Sequence, residues 1–202
     1  MAYNSEKWKK RIRSRTDLSS YVSHLIRETK EQSAYEVLAK ILNEKRLIGS
    51  SNTGFIAGQH SAVCFQDVPI YSLCQNVLHE QSNRQELGEK IRYRAIGLAF
   101  SKRYIYSKGG RPVIYERLDI AKGFVNENEW WRIVSFDLSN DDLIVDWTHE
   151  REWRIKGNLE FELGQAYVLL THKDAYKTFL KNVSDDTIRK IGGIIVLDPI
   201  LT

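Results

Sequence analysis

Asp146-Trp147-Thr148-His149-Glu150-Arg151-Glu152-Trp153-Arg154-Ile155-Lys156 sets six charged residues and two tryptophans into eleven positions. A surface loop has no need of the tryptophans, and a core has no use for unpaired charges. Read as an extended strand, the segment alternates its side chains between two faces. Glu150, Glu152 and Arg154 then share one face, and Arg151, Trp153 and Ile155 the other. The two carboxylates stand roughly 6–7 Å apart along such a strand. Carboxylates this close raise each other's pKa unless a cation lies between them, and Arg154 or a substrate can supply one. The segment therefore reads in two ways: a half-buried strand with an ion pair, or a strand carrying a catalytic pair of acids.

The rest of the chain bounds the choice. With 202 residues it is long enough for one domain with a sizeable core. Charged residues make up 28% and hydrophobic ones 42%, an ordinary globular balance. A net charge of +4 permits an anionic partner without demanding one. Cys64 and Cys74 lack the spacing of a zinc site or a disulfide scaffold and fit a reducing compartment. No apolar run approaches the roughly 20 residues that span a bilayer. The basic N-terminus lacks the apolar stretch of a signal peptide. A soluble cytoplasmic protein without a membrane association is expected.

In chain order, residues 1–16 carry Lys7, Lys9, Lys10, Arg11, Arg13 and Arg15 and read as a solvated arm or first helix. Tyr21 to Ile26 reads as a short strand bearing His24. In residues 31–47, Ala34, Val37, Leu38, Ile41 and Leu42 recur at helical spacing, and Ser33 with Glu36 has the spacing of a capping box. Ala62 to Phe65 is an apolar strand, and Pro69 stands at the start of a helix holding Ile70, Leu73, Val77 and Leu78. His79 to Lys90 reads as that helix's polar tail or an exposed insertion. Arg92 to Phe100 reads as a strand. The pair Gly109-Gly110 predicts a tight hairpin turn into Val113-Ile114-Tyr115. Between these strands Lys102, Arg103, Lys108 and Arg111 interleave with Tyr104 and Tyr106, a pattern that suits a phosphate-and-base surface. An ordinary hairpin with a solvated edge has the same composition. Trp130 to Leu138 is strand-like and ends in an acidic turn, Asp137 to Asp142. Ala166 to Leu170 is a strand, Asp174 to Asn182 a helix, and Ile191 to Leu197 a buried closing strand. With no linker long enough to divide the chain, residues 1–202 are expected to form a single α+β domain. Its sheet is expected to be curved or split and mainly antiparallel, with helices on its flanks.

Several of these blocks carry a resemblance. His24, the helix with Leu38 and Ile41-Leu42, Cys64-Phe65-Gln66-Asp67-Val68-Pro69-Ile70, Ile96 to Lys102 and Arg111 to Tyr115 resemble, in order and spacing, blocks of the AbiGi-like abortive phage-resistance proteins. That resemblance implies phage defence or a toxin–antitoxin pair, and hence a toxin or antitoxin protein as partner. At the level of fold, a histidine on an early strand and a Glu-x-Glu on a late one resemble the ADP-ribosyltransferases, including toxins that modify nucleic acid. This second resemblance implies NAD as substrate and RNA or DNA as acceptor. Under it His24 holds the nicotinamide-side ribose. Glu152 stabilises an oxocarbenium-like transition state, as a carboxylate does in glycoside hydrolysis. Glu150 orients or deprotonates the acceptor, and Tyr71, Tyr104 or Tyr106 stacks on nicotinamide or a base. The Ser/Thr-x-Ser block of many such enzymes is replaced here by Ala62-Val63-Cys64-Phe65.

Two other readings stay open beside the enzyme. One is an interaction protein on the same scaffold, antitoxin-like or regulatory, without catalysis. The other is a nuclease or nucleic-acid binder, for which Asp137, Asp141, Asp142 and Asp146 would have to gather a metal. The five histidines are scattered, with no HxxxH pair, and no metal is expected.

Overall fold

A computed structural model describes residues 3–51, 55–86 and 94–201. In chain order the elements are α1 (Ser5–Arg13), β1 (Tyr21–Leu25), α2 (Ala34–Glu44), β2 (Arg46–Leu47), β3 (Ala62–Phe65) and α3 (Ile70–Ser82). There follow β4 (Gly97–Ser101), α4 (Lys102–Ser107), β5 (Arg111–Pro112), β6 (Ile114–Tyr115), α5 (Leu118–Phe124), β7 (Ile133–Val134) and β8 (Trp153–Lys156). The chain closes with β9 (Leu159–Glu160), β10 (Tyr167–Leu170), α6 (Lys173–Asn182), α7 (Asp185–Lys190), β11 (Gly193–Val196) and α8 (Asp198–Leu201). The class is α+β, with mixed sheets and flanking helices.

The contacts divide the chain into two compact units whose sequences interleave. The first takes residues 1–45, 68–102 and 161–202, and the second takes 46–67 and 103–160. No composition shift marks such a division, because each unit is assembled from separated segments rather than strung on a linker.

The first unit is built on a four-stranded sheet in the order β1-β4-β10-β11. β4 pairs antiparallel with both neighbours, and β10 and β11 run parallel. His24 stands opposite Leu98 and Leu25 opposite Gly97. A Cβ at position 97 would collide with the His24 carbonyl, so glycine lets the two strands close. Leu73, Cys74 and Val77 of α3 pack with Ala99, Leu169 and Leu197 in one apolar cluster. On α2 the helical periodicity is met by burial of Ala34, Leu38 and Leu42. Its Ser33 and Glu36 bond reciprocally, as a capping box does. α2 packs on α6, and α3 on α8. β11 was expected to be buried; it lies at the sheet's edge, and its residues are half-buried.

The second unit holds three small sheets: β3-β8-β5, β2-β9 and the parallel pair β6-β7. Ile56, Ala62 and Trp131 form one of its cores. Two expectations change here. Lys102 to Ser107 is a helix rather than one side of a hairpin. Ile105 is its buried anchor, the Gly110 N–H donates to the Ile105 carbonyl over 2.8 Å, and Gly109 turns out of it at φ +93°. The glycine pair therefore stops a helix instead of turning a hairpin, a role open to any residue with positive φ. In 130–138 only Ile133–Val134 is strand. Glu127–Arg132 is a 3-10 turn capped by Asn126, with Trp131 buried and the Trp130 indole N–H donated to the Val125 carbonyl. Trp130 is anchored locally and Trp131 by Ile56 and Ala62, before a strand can extend. The strand expected over Arg92 to Phe100 runs over Gly97–Ser101, and Arg92 and Tyr93 lie outside the described residues. The polar stretch after His79 is helical to Ser82, and its last four residues, 87–90, also lie outside them.

Candidate functional site

Asp146 starts the segment by accepting from the Thr148 N–H (2.8 Å) and hydroxyl (2.6 Å). Those two bonds fold Thr148–Glu150 into a 3-10 turn, and the hydroxyl bond comes first among the causes holding the Asp146 carboxyl below its ordinary range. Arg151 then adopts a left-handed conformation, φ +48°. That single residue ends the alternation expected of an extended strand. Glu150 consequently lies on the turn, half-buried, with its carbonyl accepting the Asp67 N–H. It does not share a strand face with Glu152.

Glu152 and Arg154 do share a face, and they bind each other. Arg154 donates Nε to Glu152 Oε1 (2.8 Å) and Nη2 to Oε2 (3.1 Å), a two-pronged pair. Its Nη1 donates to the carbonyls of Trp131 (2.8 Å) and Ile133 (3.1 Å). The side chains are 8% and 2% exposed. Every nitrogen of the guanidinium is thus used, and both carboxylate oxygens face it. Burial alone would lower the Arg154 pKa, but the charge and hydrogen bonds of Glu152 outweigh it and leave it raised. The Glu152 N–H donates to the Tyr115 hydroxyl (2.7 Å), and its carbonyl accepts from the Val113 N–H. Tyr115 is pushed up to about 12, chiefly by burial. Cys64, opposite Arg154 in the β3–β8 register, has a thiol driven far above its ordinary range, first by burial and then by the Glu152 charge. On the other face of β8 the Trp153 indole donates to Asp67 Oδ2 (3.1 Å).

The remaining candidates fall into separate places. His24, on β1, is half-buried, and Tyr71 is exposed at the start of α3. Both belong to the first unit, as does Lys102. Tyr104 and Tyr106 ride on α4 and are already faced by cations of their own segment. The Lys108 ammonium lies 5.3 Å from the centre of the Tyr104 ring, and the Arg111 guanidinium 4.0 Å from that of Tyr106. Arg103 and Lys108 are exposed, while Arg111 also donates to the Tyr106 and Gly110 carbonyls. The cation–aromatic interleaving in the sequence therefore becomes pairing within one helix and its exit.

Sequence reasoning missed Cys64, Tyr115 and Asp67 as partners of the Glu152 segment. They meet it only through pairings of β3, β5 and β8 across many tens of residues. It also missed a cavity of ≈ 260 Å³ lined by Arg27, Glu28, Arg84 and Arg94 in the first unit. Arg94 donates to Glu28 (2.6 Å) there. Among the described residues no three His, Cys, Asp or Glu side chains are grouped to hold a metal ion, and no helix is long and apolar enough to cross a membrane. Set against known protein families, curated proteins and solved structures, the chain matches none.

Proposed function

We propose that this chain acts by binding a protein partner, as the non-catalytic, antitoxin-like or regulatory member of a phage-defence pair. The state of Glu152 carries the reading. An acid that stabilises a reacting sugar has to touch it. Glu152 has both oxygens on Arg154 and a side chain 8% exposed. To serve a substrate it would have to leave a buried guanidinium uncompensated, at a cost of about 3–5 kcal/mol. A brace that joins β8 to Trp131 and to Ile133 of β7 describes its contacts better than a catalytic group does.

The test combines a search for partners with an assay for chemistry. Purified protein is given labelled NAD with separate pools of RNA, DNA and cell protein, beside a Glu152→Gln variant, while a tagged copy is isolated from the cells that express it. A partner at fixed stoichiometry and no label transfer is the expected result. Label transferred by the wild type and lost in a variant that still folds would end this reading.

A second reading, an ADP-ribosyltransferase that uses NAD and modifies nucleic acid, has one observation in its favour. The strand bearing His24 leads directly into the cavity of Arg27, Arg84 and Arg94, and arginines suit the forked recognition of a diphosphate. In this reading His24 would hold the ribose, and Glu150 or Glu152 would face it. Calorimetry with NAD on the wild type and on Arg27→Ala decides it: binding that the substitution weakens keeps the enzyme alive, and no heat removes it.

A further inference from the structure

Acidic and basic residues are unevenly placed along this chain. Residues 116–146 hold eight acidic and three basic side chains, a net of −5 in a protein whose total is +4. The same segment exposes apolar side chains: Leu118, Ile120 and Phe124 on α5, and Leu138, Leu143 and Ile144 on the loop that Asp137 and Val145 close by pairing. Arg117 Nε stands 3.7 Å from Asp137 Oδ2, and the Phe136 N–H donates to the Glu116 carbonyl. These contacts hold the start of α5 beside the start of the loop, with Leu118 and Leu138 each one residue beyond the bridge. Asp119, Asp141 and Asp142 are exposed beside these apolar side chains in the sequence, which makes the apolar surface an acidic one.

α1 has the complementary chemistry. Its nine residues hold five cations and one acid, and no residue of it is buried. Trp8 and Ile12, four apart, share one side of the helix and stay half-exposed. A helix with an uncovered aromatic–aliphatic pair between lysines and arginines fits an acidic apolar surface, both by burial and by charge.

We infer that two copies of this chain associate by laying α1 of each on the acidic–apolar surface formed by α5 and the 137–145 loop of the other. One face of a nine-residue helix, about 13 Å long, covers less than a standard interface of about 1,600 Å². A closed pair in which each copy gives and receives one helix makes the contact twice. This inference stands whichever reading of the function holds, since it concerns the chain alone.

Sedimentation velocity of the full chain over a wide range of concentration tests it. The wild type is expected to pass from monomer to dimer, with the dimer weakened by salt. Lys9→Glu/Lys10→Glu brings α1 from a net +4 to zero and sets two carboxylates before the acidic surface, and Asp141→Lys/Asp142→Lys sets two ammonium groups before the basic helix. Each variant alone is expected to lose roughly tenfold or more in self-affinity. Mixed one to one, they form one contact with the substituted charges inverted and one with wild-type residues on both sides, and a heterodimer is expected. Leu143→Ser/Ile144→Ser removes the apolar share and weakens the dimer without changing charge. All these residues are on the surface, so circular dichroism should match the wild type. A wild type that stays monomeric, reversed variants that dimerise as well as it does, or a mixture that does not pair would each overturn the inference.

Discussion

Arg154 is engaged by a carboxylate and two backbone carbonyls at once, and losing it would strand all three. Glu152→Gln leaves a buried cation without its anion, so a stability loss of about 3–5 kcal/mol is expected by chemical denaturation. Arg154→Met is expected to cost more, because it orphans the Trp131 and Ile133 carbonyls in addition to the carboxylate. If Glu152→Gln melts like the wild type, the brace is not what holds this segment. Two neighbours give tests in pH. Tyr115 moves from 10.0 unfolded to about 12 folded. The folded state therefore keeps its proton longer, and the stabilisation is fully present below pH 10 and falls as pH rises through 12. Urea titrations between those values should show the decline, and Tyr115→Phe should flatten it. The thiols of Cys64 and Cys74 are both raised by burial. Neither is expected to react with iodoacetamide in the native state at pH 8, while both react in urea. Rapid native labelling of Cys64 would show that β3 opens, and of Cys74 that α3 does.

Elements in this chain keep or lose their expected form according to how local their causes are. α2 needs only its own residues: the Ala34, Leu38 and Leu42 stripe and the Ser33–Glu36 box both lie within it. β1 and β4 need each other, and Gly97 is the point where they touch. Gly97→Ala would press a methyl group into the His24 carbonyl. The expected outcome is loss of amide protection along Tyr21–Leu25 in hydrogen exchange, or loss of soluble protein; unchanged protection would mean that β4 can shift to admit a side chain. α4 illustrates the opposite case. Its sequence has hairpin punctuation, but burial of Ile105 and the Gly110–Ile105 hydrogen bond make it a helix. Tyr104 and Tyr106 are faced by Lys108 and Arg111 of the same segment in consequence.

At the scale of the molecule, two features organise the chain: interleaved units and separated charge. α1 contributes no buried residue. Deletion of residues 1–14 is therefore expected to leave the melting midpoint nearly unchanged while removing self-association. A large fall in melting temperature would mean that the first unit depends on that helix for its stability. The interleaving explains why the chain reads as undivided: neither unit has a continuous sequence of its own, so no linker is needed and none can be seen.

The sequence by itself determined the elements whose signals lie within a few residues. These are the capped helix α2, the strands β1, β3 and β10, helix α6, the α+β class, and the importance of the Asp146–Lys156 stretch. It also allowed the Glu152–Arg154 pair, since residues two apart on a strand share a face. Only the tertiary structure decided what bears on the choice between a catalytic acid and a brace. That choice depends on whether Arg154 has other partners, and they come from Trp131 and Ile133, more than twenty positions away, and from the register that sets Cys64 opposite it. The left-handed Arg151 separates Glu150 from Glu152, and no spacing rule foretells it. A periodicity assigns a face, but the exposure of a charge on that face is set by what the rest of the chain lays over it.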